Sequence, residues 1–272
     1  MNDPKALYLD LMKRCLANVI YSDSAQAQIP VGKISSLKRR LLRMFVGSDV
    51  IVRNERAFNP GARQEGRDWP STAHTMIGLQ RLNNLQWCIE NVIASNDPGD
   101  MIETGVWRGG ATILMRAVLR VYGVTDRMVW VADSFEGLPH PDATKYPQDA
   151  GDVHHTFEQL VVSLETVKAN FDRYGLLDSQ VRFLKGWFKD TLHAAPISTL
   201  AVIRLDGDMY ESTTDAITSL YPKLLPGGYI IVDDYGAVPA CKKAIHDYRD
   251  AHGITEPIHE IDWTGVYWKR ES

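Results

Sequence analysis

Cysteine is scarce in this chain. Cys15, Cys88 and Cys241 stand far apart, with no CxxC pair and no zinc spacing. A disulfide framework and a zinc module are therefore not indicated, and reduced thiols in the cytoplasm are expected. Positive charge is not in excess either. The net charge of −4 gives no reason to expect nucleic acid as a partner. No run reaches the roughly 18 apolar residues that a membrane helix needs, so no membrane partner is expected. The opening MNDPKALYLDLMKR lacks the basic start and small-residue cleavage site of a signal peptide. No internal repeat is visible. What remains is an ordinary globular composition, 44% hydrophobic and 24% charged over 272 residues, enough for one large α/β core.

Residues 4–21 carry Leu9, Met12, Leu16, Val19 and Ile20 at helical spacing and read as a packing or dimer helix, or as a substrate lid. A homo-oligomer, dimer or larger, is expected. Residues 22–70 look irregular. Lys38, Arg39, Arg40 and Arg43 lie there among apolar residues, as a solvated helix face or as a cover over a site. The chain divides on this reading into 1–70, a helix and lid segment, and 71–272, the main domain. A helix is predicted over 71–93, and Asp97-Pro98-Gly99-Asp100 is a turn. Apolar runs at 101–103, 128–133, 181–184, 200–205 and 229–232 then alternate with helical stretches at 164–174, 216–225 and 240–251. Pro226-Gly227-Gly228 and Gly253 close the last two. Runs at 258–261 and 266–269 form a terminal hairpin, so the last strand is antiparallel. This pattern predicts a doubly wound, mostly parallel seven-stranded sheet covered by helices on both faces.

Four of those strands end in acids: Glu103, Asp133, Asp206 and Asp233-Asp234. In a parallel sheet these ends share one edge, where ligands collect. The stretch DMIETGVWRGG (100–110) reads as strand, tight turn and helix start. Its turn, Gly105-x-x-x-Gly109-Gly110 with Arg108, departs from the G-x-G-x-x-G of pyrophosphate-binding turns. A wider turn preceded by Glu103 suits the cationic, phosphate-free S-adenosylmethionine, with Asp133 suited to the ribose hydroxyls. The plainer alternative is a glycine turn that packs helix on strand. Trp187 could stack on the adenine or be a core tryptophan.

Asp206, Asp233 and Asp234 converge without histidine or cysteine. That donor set suits a hard cation, Mg²⁺ or Mn²⁺, since three bare carboxylates would repel one another. Asp208 is a fourth candidate. A divalent ion lowers the pKa of an alcohol, and Asp206 is placed to take its proton. No lysine follows Asp206 in Gly207-Asp208-Met209-Tyr210, which argues for a carboxylate base and against a catechol substrate.

At these residues the chain resembles the macrocin O-methyltransferases, class I enzymes of Rossmann-like fold that act on deoxysugar hydroxyls of macrolides and aminocoumarins. The blocks that carry the resemblance are HTMIGLQRLNNLQ (74–86), PGDMIETGVWRGG (98–110), VWVADSFEGLP (129–139), FDRYGLLDSQVRFLKGWFKDT (171–191), LDGDMY (205–210), PGGYIIVDDY (226–235) and GVYWKR (265–270). The resemblance implies S-adenosylmethionine, Mg²⁺ and a small-molecule glycoside substrate. It puts metal ligands at Asp206, Asp233 and Asp234, with Asp206 as base. It puts cofactor contacts at Met76, Thr104, Gly105, Val106, Trp107, Arg108, Gly109, Gly110, Asp133, Ser134 and Trp187, and an aromatic latch at Trp69. Residues 22–66 are longer and more basic than that family's usual segment, which leaves the acceptor open. His154-His155 either reach the acceptor pocket or are surface loop histidines. Methylation of a non-sugar hydroxyl and metal-dependent hydrolysis are the alternative activities.

Overall fold

A computed structural model describes residues 3–21, 25–26 and 55–271. The basic cluster at 38–43 lies outside the described residues. The first element, α1 (Pro4–Leu16), is capped by Asp3, whose side chain accepts from the Lys5 amide. It ends earlier than the apolar spacing to Ile20 suggests. Two-residue strands β1 (Ala25–Gln26) and β2 (Glu55–Arg56) pair antiparallel. Within the stretch read as irregular, α2 (Pro60–Glu65) forms between two local signals. Asn59 accepts from the Ala62 amide, and Gly66 takes the left-handed closing conformation.

The helix expected from residue 71 starts only at α3 (Leu79–Ala94). Residues 71–78 are spent on tertiary bonds instead. The His74 amide donates to the Leu16 carbonyl, and the His74 carbonyl accepts from the Gly110 amide. The alternating units then follow: β3 (Asp100–Thr104), α4 (Gly110–Val121), β4 (Val129–Asp133), α5 (Leu164–Arg173), β5 (Val181–Lys185), α6 (Phe188–Thr191), β6 (Leu200–Leu205), α7 (Tyr210–Leu220), β7 (Leu224–Val232), α8 (Pro239–His252), β8 (His259–Glu260) and β9 (Val266–Lys269). Both ends of the helix expected at 216–225 move, and so does the start of the strand after it. Helix α7 begins at Tyr210 rather than 216, and β7 begins at Leu224 and runs through Pro226-Gly227-Gly228. The glycines are absorbed as a register shift against β6 between Leu200 and Val202, which is how a strand accommodates such residues.

The seven-stranded sheet has the order β5-β4-β3-β6-β7-β9-β8. Strands β3 to β7 are parallel, and β9 is antiparallel to β7 and β8. Successive residues point to opposite faces, so Met101 packs with α1, α3 and α4, and Ile102 packs with α7 and α8. Leu9, Met12 and Leu16 of α1 belong to the first of these two cores. The strand order reverses at β3, between β4 and β6. The carboxyl ends there open a crevice, which is where ligands bind in open α/β sheets. No described helix is long and apolar enough to cross a membrane.

Candidate active site

A cleft enclosing about 790 Å³, open space at its mouth included, lies over the carboxyl ends of β3, β4, β5 and β6. Its wall includes Met76, Gly105, Trp107, Asp133, Ser134 and Trp187 from the expected cofactor contacts, together with Asp206 and Asp208. Gly137, Leu138, Pro139, Leu160, Phe188, Lys189, Glu211, Ser212 and Asp215 also line it. These were not picked out from the sequence. They come from the loop after β4 and from the first turns of α6 and α7, and carry no local signature.

The glycine turn is shaped by its neighbours. Gly105 sits at φ +83°, and a Cβ there would stand 1.7 Å from the Asp206 carbonyl oxygen. Only glycine lets β3 and β6 end this close together. A Cβ at Gly110 would meet the His74 carbonyl oxygen at 2.5 Å. Asp133 closes the turn from the next strand. Its Oδ2 accepts from the Val106 amide at 2.8 Å and its Oδ1 from the Phe135 amide at 2.7 Å. Burial pushes its carboxyl up despite these bonds. The Ser134 hydroxyl also donates to Oδ1, at 3.4 Å.

The other expected contacts hold the turn without forming the cleft wall. Arg108 donates to the Ala73 carbonyl at 2.8 Å and lies 4.1 Å over the Trp107 ring. Thr104, Val106, Gly109 and Gly110 are buried. Trp69 also lies outside the wall and meets Phe157 edge-on at 5.3 Å.

Glu103 departs most from its expected place. It is 2% exposed, and its Oε1 is held by Arg204 of β6. Arg204, 1% exposed, also donates to Asp206 at 2.6 Å and to Asp233. Arg81 of α3 donates to the other Asp233 oxygen at 2.5 Å and to Asp262 at 2.9 Å. Three carboxylates thus share one guanidinium. One charge cannot neutralise three, and the most deeply buried acid retains a proton. Burial pushes Glu103 up to about 8, with Arg204 opposing. Its Oε2 is buried without a partner, as a neutral acid tolerates better than a carboxylate. For Asp233, burial pushes up, but Arg204 and Arg81 outweigh it and hold its pKa low.

Asp206, Asp233 and Asp234 each bring a carboxylate oxygen to within 4.8 Å of the others, because β6 and β7 are adjacent and in register. Burial, then the Asp233 charge, raises Asp206 to about 7. Burial, then Asp208, Asp206 and Asp233, raises Asp234 well above the usual range. Oxygen donors alone, with more negative charge than two arginines offset, fit a hard divalent cation.

Sequence reasoning also missed the loop that flanks this edge. Asp149 is buried, and its two oxygens accept from the Tyr210 and Glu211 amides at 2.7 and 3.0 Å, capping α7 from 61 residues away. His154 Nδ1 bonds Asp152 of the same loop at 2.7 Å, and neither His154 nor His155 lines the cleft.

The strand order, the crevice and the acid-lined edge define a class I methyltransferase fold. The macrocin O-methyltransferase (TylF) family model matches residues 5–270, and the chain belongs to that family. It is 54% identical over 268 residues to the 8-demethyl-8-(2,3-dimethoxy-alpha-L-rhamnosyl)-tetracenomycin-C 4'-O-methyltransferase of Streptomyces olivaceus, covering 98% of this chain and 94% of that one. It is 50% identical over 269 residues to the mycinamicin III 3''-O-methyltransferase of Micromonospora griseorubida, covering 98% and 97%. Among solved structures, the O-methyltransferase NovP superposes with a TM-score of 0.87 at 49% identity, over 98% of this chain and 100% of that one.

Proposed function

We propose that this chain transfers the methyl group of S-adenosylmethionine to a deoxysugar hydroxyl of a glycosylated natural product, with Mg²⁺ held by Asp206, Asp233 and Asp234. The observation that carries this reading is the single cleft that runs from Asp133 and Trp187 to Asp206. It offers a nucleoside pocket and a hydroxyl-activating edge in one space. The name of the Streptomyces olivaceus relative gives a rhamnosyl tetracenomycin as its acceptor, which supports a sugar acceptor. Bound in the cleft, S-adenosylmethionine would supply an electrophilic methyl group. Mg²⁺ at the three aspartates would lower the pKa of the acceptor hydroxyl.

The chain's own groups do the rest. Asp133 accepts from ribose hydroxyls, and Trp187 provides an aromatic face for adenine. Asp206 takes the proton of the attacking hydroxyl, and Arg204 fixes the direction of that carboxylate. The small-molecule glycoside is the substrate partner, and the chain works as a cytoplasmic homo-oligomer. A metal-dependent hydrolase could use the same aspartates, but it leaves the half of the cleft at Asp133 and Trp187 without an occupant.

Asp206→Asn tests the reading. Calorimetry should still register S-adenosylhomocysteine binding, while methyl transfer to a panel of demethylated glycosides should vanish. EDTA should suppress the wild-type reaction. Turnover at the wild-type rate in the variant, or in EDTA, would contradict the assignment.

A further inference from the structure

Asp233 follows the last residue of β7 and has both side-chain oxygens bonded. Arg204 of β6 donates to Oδ1, and Arg81 of α3 donates to Oδ2 at 2.5 Å. Every nitrogen of the Arg81 guanidinium is in use. Nη1 serves Asp233, Nε donates to Asp262 at 2.9 Å, and Nη2 donates to the Gly66 carbonyl at 3.2 Å. Arg81 is 4% exposed, and a planar fork held at three points has one orientation.

Asp262 lies in the turn between β8 and β9, and the rest of that turn returns to Asp233. Asp262 Oδ1 accepts from the Thr264 and Gly265 amides at 3.0 and 2.8 Å, so the carboxylate that holds Arg81 also shapes the turn. The Thr264 hydroxyl donates to the main-chain carbonyl of Asp233 at 2.9 Å and accepts from the Ala237 amide at 3.1 Å. The Gly236 amide donates to the Thr264 carbonyl at 2.9 Å. A Cβ at Gly265 would stand 2.9 Å from Arg81 Cδ, so the turn lies directly on the arginine stem. One turn of chain therefore fixes Asp233 twice, its main chain through Thr264 and its carboxylate through Arg81. Arg81, Asp262 and Thr264 do not line the cleft, and whatever they do for the reaction passes through Asp233.

We propose that Arg81, Asp262 and Thr264 are positioning residues for the divalent cation, and that they set the direction in which Asp233 presents its carboxylate. This rests on the cation assignment made above. Charge does not account for the arrangement. The Asp262 side chain is 3% exposed and pairs with Arg81, so the two together bring no net charge to the edge. A buried ion pair also adds little stability over apolar side chains of the same volume. What the pair supplies is direction. The two guanidiniums hold Asp233 in the orientation that brings one of its oxygens within 4.8 Å of those of Asp206 and Asp234. Groups behind a metal ligand act in this way, and their loss costs roughly 10–100-fold in metal affinity.

The test reads the metal alone. Mn²⁺ is titrated into the full chain, and the free ion is followed by its electron paramagnetic resonance signal. The double variant Arg81→Met with Asp262→Asn removes both ionic partners at constant net charge, so a change in affinity reports direction rather than charge. Asparagine keeps an acceptor for the Thr264 and Gly265 amides. Thr264→Val removes one hydroxyl at the same shape, and Thr264→Ser keeps it. The double variant should bind Mn²⁺ at least about tenfold more weakly than wild type, and Thr264→Val at least about threefold, with Thr264→Ser close to wild type. The affinity for S-adenosylhomocysteine, read by calorimetry, should not change. A role in stability alone would lower the urea midpoint and leave the Mn²⁺ affinity of the folded protein as it was. A smaller loss of Mn²⁺ affinity than stated, in either the folded double variant or Thr264→Val, would overturn the assignment while leaving the cation site standing. If the double variant lacks native circular dichroism, the Thr264 pair decides, and equal affinities of the valine and serine variants would overturn it. A wild-type chain that takes up no Mn²⁺ would instead overturn the cation assignment, and this inference with it.

Discussion

Arg204→Met puts the buried charge cluster to a quantitative test. Methionine fills much of the arginine volume and brings no charge, so the change isolates the guanidinium. Arg204 is 1% exposed and faces the side chains of Glu103, Asp206 and Asp233. Removing one partner of a buried ion pair costs about 3–5 kcal/mol. The arrangement points to the low end of that range. Glu103, pushed up to about 8, already carries a proton at neutral pH, and Asp233 keeps Arg81 at 2.5 Å. About 3 kcal/mol is therefore expected, a large share of the roughly 5–15 kcal/mol that holds a domain folded. Urea unfolding followed by far-ultraviolet circular dichroism in cation-free buffer reads it directly. The loss should shrink at pH 5, where protons on Asp206 and Asp233 replace the missing guanidinium, and adding Glu103→Gln to the variant should change it little, because Glu103 is neutral already. A variant within about 0.5 kcal/mol of wild type at pH 7, the scatter of ordinary surface substitutions, would refute the reasoning, as would a loss that ignores pH.

Three shorter predictions follow from the same contacts. Glu103 has its folded pKa raised to about 8 from 4.5, so between those values the folded state holds a proton that the unfolded state has lost. Its contribution to stability is complete below about 4.5 and fades as pH rises towards 8, by up to about 1.4 kcal/mol per pH unit. Glu103→Gln stays neutral throughout, so the stability difference between wild type and variant should widen from pH 5 to 8 and level off above; parallel curves would exclude a protonated Glu103. Trp187→Ala should weaken S-adenosylhomocysteine roughly tenfold by calorimetry through loss of an aromatic face, and an unchanged affinity would return Trp187 to a packing role. Asp149→Ala removes both side-chain acceptors at the start of α7 and should cost about 1–2 kcal/mol in urea unfolding, with a neutral result showing that water caps the helix equally well.

Much of this protein could be read from local pattern. The strands announce themselves because a buried parallel strand is a short apolar run, as in VWVAD at 129–133 and LAVIRL at 200–205. Their terminal acids could be grouped without coordinates, because parallel strands all end on one edge. That argument alone joined Asp206 to Asp233 and Asp234, and the structure brings them within 4.8 Å. The glycine turn was legible for a similar reason, since a chain that must leave a strand and enter a helix at once needs positive φ at Gly105 and Gly109.

Other features have no local signal. The stretch 71–78 carries helical spacing but gives its backbone bonds to Leu16 and Gly110, and tertiary pairing overrides propensity there. Arg204 did leave one clue, a lone cation inside an apolar strand that must be paired if buried, but its partners lie as far off as Glu103, 101 residues away. Asp149 sits in a loop whose composition says nothing of the helix it caps. Patterns with periods of two or four residues, and the sheet edge they imply, are dictated by the chain itself. Which charges meet beneath that edge and beside it depends on how distant segments close over it, and burial then makes each unpaired charge costly enough that the folded arrangement decides the outcome.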